Sequence, residues 1–424
     1  MKGKVLKLAA VLGAATLANA LAAEVTVVCG AVGSELEFCR TAANAWAEKT
    51  GNTVKVLETV NSSTDRLAYY QQNLTAGNDS IDVYQIDVVW PGILNQYFID
   101  LKPYLTASDT KPFTPSIYNN YKIGNKVVAL PWFTDGGILF YRTDLLKKYG
   151  YSTPPKTWDQ LFAMAKKIQD GERKTNKNFY GFVYQGNAYE GLTCDALEWI
   201  NSYGGGTIVD ASGKVTINNP KAVQALDTLA KNLKGITPPG VTSYQEEESR
   251  GVWQSGNAAF MRNWPYAYGL GNAKDEKTGK LPVIAGKFDV VSLPAGPGGK
   301  SSATQGGWGL AVSKFSKAPK EAADLVKYMT SAEVQKDRAV KGSYAPTISA
   351  LYQDKAVVAA APHFKAYATA EFVARPSAVT GAKYNQVSNA FWTAVHSVLT
   401  GKNNASAALA SLEKRLNTIK GAGW

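Results

Sequence analysis

The segment EVTVVCGAVGSELEFCRTAANAWAEKTGNTVKVLETV (residues 24–60) opens with a β-branched run, turns at Gly30 and Gly33, and continues with helical periodicity from Glu35 to Gly51. A second β-branched run follows at 53–60. Strand, helix and strand in that order predict a parallel pair joined by a crossover helix. Working outward, STDRLAYYQQNLTAG (63–77) adds a helix and SIDVYQIDVVW (80–90) a third strand. YKIGNKVVALPWF (121–133) reads as a hairpin turning at Gly124-Asn125, and GILFYRTDLLKKYG (137–150) starts a second strand–helix series. FYGFVYQG (179–186) continues the strands, and NNPKAVQALDTLAKNLKG (218–235) reads as a helix with Pro220 near its first turn. FDVVSLPAGPGGKSSATQGGWGLAVSK (288–314) then holds two strands around a Gly/Pro/Ser-rich connection, as though the chain returns to its first domain. From about Pro346 the pattern is mostly helical, ending in an amphipathic tail at 405–421.

With 424 residues, two domains are expected rather than one core. The N-terminal MKGKVLKLAAVLGAATLANALAA carries Lys2, Lys4 and Lys7, an apolar run of about ten residues and Ala-x-Ala sites. That pattern predicts a secretory signal peptide over 1–23. No cysteine follows the cleavage region, so a lipid anchor is not indicated, and no later segment is apolar enough to span a bilayer. Subtracting the three leader lysines from the net charge of +12 leaves +9, spread along the chain. No basic cluster interleaved with aromatics marks a nucleic-acid module. Of the three cysteines, Cys29 and Cys39 can meet across a strand-to-helix connection, as a disulfide or as two buried thiols, while Cys194 falls inside a helical pattern. With His363 and His396 they form no zinc constellation. A metal or organic cofactor is not expected.

RNWPYAYGLG (262–271) places Trp264, Tyr266 and Tyr268 at alternate positions around Pro265. It reads as an extended loop whose rings either cap a core or line a wet cleft.

Several motifs converge on one family: GSELE at 33–37, ALPWFTDGGILFYRTDLLKKYG at 129–150, NWPY at 263–266, GGWGLAVSK at 306–314 and the helical 391–416. Together they resemble the extracellular solute-binding proteins of ABC sugar importers, most closely the trehalose/maltose-binding branch, over essentially the whole chain after the leader. The resemblance implies a two-lobed periplasmic-binding-protein fold, class II-like, with α/β lobes each built on a mostly parallel sheet and several hinge crossings. The first lobe would hold 24–133 and 304–345, and the second 134–303 and 346–424. It also implies a monomer on the outer side of the cytoplasmic membrane that hands an α-gluco-disaccharide to a membrane permease without catalysis.

A sugar offers hydroxyls to carboxylates and Arg, and C–H faces to rings. Glu35 lies at the first helix start, where an acid also suits the helix dipole. Arg66 sits on the next helix. Asp87, among Ile86, Val88 and Val89, needs partners. Phe133 and Asp135 lie at the first crossing, Phe133 where the family often has Tyr. Trp264, Tyr266, Gly307, Trp308 and Arg375 match family cleft positions. Tyr268 matches none and reads as packing. Two other classes remain open: a secreted glycoside hydrolase, which also uses paired carboxylates, and the same clamp tuned to an oligopeptide, polyamine or ferric ion. For iron, Tyr69 and Tyr70 sit at adjacent helix positions and point apart.

Overall fold

The computed structural model describes residues 22–275 and 278–424, so the expected leader lies outside them apart from its last two positions. Twelve strands are present among the described residues. In chain order they are β1 (Glu24–Cys29), β2 (Thr53–Glu58), β3 (Val83–Asp87), β4 (Lys122–Ile123), β5 (Lys126–Val127) and β6 (Leu130–Gly136). They continue with β7 (Ile138–Arg142), β8 (Tyr180–Val183), β9 (Ala258–Asn263), β10 (Phe288–Ser292), β11 (Ser302–Val312) and β12 (Glu371–Val373).

The opening segment folds as its periodicity predicts. β1 pairs in parallel with both β2 and β3. After its first residue β1 is wholly buried, as a strand covered by helices on both faces should be. The helix Glu35–Thr50 stops at Gly51, which takes the left-handed conformation and returns its N–H to the Ala47 carbonyl. Cys29 at the end of β1 is bonded to Cys39 one turn into that helix, which resolves the choice between bond and thiols. Cys194 is free and buried. The Gly124-Asn125 hairpin is formed by β4 and β5.

Two sheets result. One has the order β12-β11-β3-β1-β2, with β6 also on β11; the other runs β10-β7-β9-β8. The chain crosses between them along β6 and β7, with Gly137 alone between the two strands. β11 is the other long connection: it pairs with β12 at 302–304, β6 at 305–310 and β3 at 308–312. Packing is continuous through this hinge, because Trp132 and Phe133 share one buried cluster with Phe140, Trp253 and Phe288. A second cluster fills the other lobe between its sheet and the helices Glu190–Ser202, Pro220–Leu233 and Tyr384–Leu399.

Two details differ from expectation. The second sheet is mostly antiparallel: only β8–β9 run in parallel, while β9 and β10 both oppose β7. Strand–helix alternation signals parallel neighbours only where one helix joins strands adjacent in the sheet. β7 enters straight from β6, and its neighbours arrive from more than a hundred residues later, so its direction is imposed by the crossing. Residues 262–271 are likewise no extended loop. Tyr266–Asn272 is helical, with Pro265 at its N-cap, where the fixed φ suits a helix start and the missing N–H is not needed.

Thiol titration of the unfolded, unreduced protein should find one reactive cysteine, and three after reduction. The Cys29→Ala/Cys39→Ala double variant should lose about 2–4 kcal/mol of stability in denaturant unfolding.

Candidate functional site

A cleft of about 610 Å³, counting its open mouth, lies between the lobes. Its walls come from the carboxyl ends of first-sheet strands, the β6 and β11 crossings and the starts of second-lobe helices. Asp87 is the last residue of β3, and Glu35 begins the helix after β1. Glu190 and Glu246 are each the first residue of a helix. Nine of the ten residues expected from the sequence line the cleft: Glu35, Asp87, Phe133, Asp135, Trp264, Tyr266, Gly307, Trp308 and Arg375.

Arg66 does not. It lies fully buried behind the wall, its guanidinium 4.3 Å from the Trp308 ring centroid. Nε and Nη2 donate to the Val60 carbonyl at 3.2 and 3.1 Å, so Arg66 props the indole and faces Glu35 electrostatically from behind. Sequence reasoning missed Glu190, Glu246 and Tyr344. The two acids look like ordinary first-turn charges, and only the fold aims them inward. Tyr344 packs edge-on against Phe133, with ring centroids 5.1 Å apart. Tyr268 turns away onto His363 and Phe288, and so is packing.

Gly307 is required where it stands. Its φ is +131°, and a Cβ there would meet the Phe133 carbonyl oxygen at 2.7 Å, so a side chain would force β11 off β6. Trp264 lies over the Arg262 guanidinium at 3.9 Å and donates its indole N–H to Glu246 Oε1 at 3.2 Å. Arg262 is itself held by buried Asp195 and Glu198. That stack fixes the ring plane before any ligand arrives.

Five carboxylates share the cleft: Glu35, Asp87, Asp135, Glu190 and Glu246. Arg375 bridges Asp87 and Glu190, one cation between two carboxylates. Glu35 accepts one bond, from Gln85 Nε2 at 3.2 Å. No described residue donates to Asp135. Burial pushes Glu35, Glu190 and Glu246 up from the usual carboxylate range. Asp135 is pushed up as well, by desolvation first and then by the neighbouring Glu35 charge. Arg338, buried against Trp132, Phe133 and Tyr344, is pushed down to about 10 by desolvation. The site therefore offers unfilled acceptors and flat rings. Among the described residues no group of His, Cys, Asp and Glu is placed to hold a metal ion, and no helix is long and apolar enough to cross a membrane.

Two α/β lobes hinged about a polar, ring-lined cleft define a two-lobed binding protein. The chain belongs to the bacterial extracellular solute-binding protein family, whose model matches residues 35–336. A Deinococcus radiodurans protein described as a probable ABC transporter-binding protein is 56% identical, over 99% of this chain and 100% of its own length. The solved structure described as maltose-bound MalE3 of T. maritima is 38% identical, with a TM-score of 0.86 over 94% of this chain and 100% of its own. The solute-binding protein of Agrobacterium vitis S4 with bound D-mannitol has a TM-score of 0.79 at 20% identity, over 95% of this chain and 99% of that one, a likeness of fold alone. These relatives are transporter binding proteins rather than enzymes, so the hydrolase alternative falls away.

An acid whose folded pKa is raised binds its proton more tightly in the folded state, so its penalty is absent below about pH 4, grows from there up to the raised value and levels off above it. Without solute, Asp135→Asn should match the wild type in stability near pH 4 and exceed it by pH 8. Urea unfolding at both pH values checks the sign.

Proposed function

We propose that this chain is exported, captures an α-linked gluco-disaccharide such as maltose or trehalose between its lobes, and delivers it to the membrane permease of an ABC importer. The observation that carries this reading is the placement of half-buried Asp135 and buried Glu35, acceptors short of donors, beside the Trp264, Tyr266 and Trp308 rings. A polyhydroxylated solute supplies hydroxyl donors to those oxygens and C–H faces to those rings. Five carboxylates and, among the described lining residues, one cation, Arg375, face the cleft, a balance that disfavours an anionic solute. The maltose-bound relative, 38% identical along nearly the whole chain, supports an α-glucoside over other neutral solutes. Phe133 supplies a face and no phenol, so one hydrogen bond fewer is available than a tyrosine there would give. Solute touching both lobes favours the closed state by its differential affinity, and the permease would recognise that state. We place the first lobe at 24–133 and 304–345 and the second at 134–303 and 346–424, with the protein acting as a monomer.

The acid surplus also suits a linear polyamine, which the same titration separates. Calorimetry with maltose, trehalose, sucrose, glucose and spermidine should show saturable binding of maltose or trehalose, with a tryptophan fluorescence change and no released glucose. Binding of spermidine alone would overturn the sugar reading. Trp264→Ala should cost on the order of 1–3 kcal/mol of affinity through the lost stacking face. Asp135→Ala should cost a similar amount by leaving sugar hydroxyls unpaired.

A further inference from the structure

Asp87 and Glu190 line the cleft, yet their oxygens are already taken by protein donors. Arg375 Nη2 donates to Asp87 Oδ1 at 2.8 Å, Nη1 reaches Oδ2 at 3.3 Å, and the Val89 N–H adds a bond at 3.1 Å. Nη1 also donates to Glu190 Oε1 at 2.8 Å. The Tyr384 hydroxyl bonds the same Glu190 oxygen, and Ser388 donates to Oε2 at 2.6 Å. The participants come from different parts of the clamp. Asp87 ends β3 of the first sheet, and Glu190 begins a helix packed in the second lobe. Arg375 follows β12, which runs beside β11 at the crossing. A second link spans the same gap: the Glu190 N–H donates to Thr64 Oγ1, on the first-lobe helix Ser63–Thr75, at 3.1 Å.

We propose that Glu190 is a positioning residue of the clamp: acting through Arg375, it ties the second lobe to Asp87 of the first and raises the closed population before solute binds. Asp87, which the sequence suggests as a sugar acceptor, then serves as the first-lobe anchor of this latch. Solute hydroxyls fall to Asp135 and to the Glu35 oxygen that Gln85 does not reach. The latch stays out of water when the lobes are shut and must be rehydrated when they part. Without the Glu190 carboxylate, Arg375 keeps Asp87 as its counter-charge but loses the charge-assisted bond that holds it to the helix begun by Glu190, so removing Glu190 weakens the closed form specifically. Part of the closing energy is thus held within the protein, and the solute's apparent affinity rises with the closed fraction. The proposal rests on the two-lobed binding reading, though not on the identity of the solute.

Small-angle X-ray scattering of the solute-free protein tests it directly. Glu190→Gln should show a larger radius of gyration than the wild type. Thr64→Val, on the facing helix, should shift it the same way and carries the test if Glu190→Gln fails to fold. Saturating maltose should return all of them to one compact value. Maltose affinity of Glu190→Gln should fall on the order of tenfold, mainly through faster dissociation. Identical solute-free scattering for the wild type and for cooperatively melting variants would overturn the latch. Silence of the wild type toward maltose would sink the disaccharide reading alone, because the solute-free comparison does not use the sugar.

Discussion

Everything in the cleft depends on how closely β11 lies against β6. At Gly307 the two backbones approach until the Phe133 carbonyl occupies the space of a side chain. That contact sets the register which puts Trp308 opposite Phe133 and Gly306 opposite Asp135. The same strand passes on to β3 and lays Trp308 beside Asp87. One ring and three acidic or aromatic partners are therefore placed by the two pairings of a single strand, β11. Because β6 runs into β7 with only Gly137 between, the pairing also sets where the second lobe begins.

The cleft's electrostatics follow from a division of labour among its acids. Asp87 and Glu190 are consumed by Arg375, while Glu246 is partly consumed by Trp264. Asp135 and Glu35 keep acceptor capacity, and burial raises both. Unfilled buried acceptors are costly in a static protein. They make sense as a site that trades water for solute hydroxyls when the lobes close, so that stability is spent on recognition at one place.

Much of this was legible in the sequence. The β1–helix–β2 unit announces itself through β-branched runs and Gly51, and the return of 302–312 to the first sheet shows as a late strand pattern. Nine cleft-lining residues were reachable because the family resemblance carried them over motif by motif, and those motifs sit at strand ends and crossings. What was hidden shares one cause: direction in space. Arg66 has the right chemistry and points behind Trp308. Glu190 and Glu246 look like dipole-matching acids until the second lobe turns them inward. Pro265, read as a helix breaker, starts a helix, because proline's meaning depends on which turn it occupies. The antiparallel second sheet was unreadable for a related reason, since its strands are brought together by the crossing and not by consecutive connections.

The most direct test of the account is a crystal structure of the protein grown with maltose. The account predicts sugar between the lobes, a glucosyl face against the Trp264 or Trp308 ring, and hydroxyls within hydrogen-bond distance of Asp135 and Glu35. A saturated crystal with the cleft empty, or with sugar held only by surface residues outside it, would contradict the assignment.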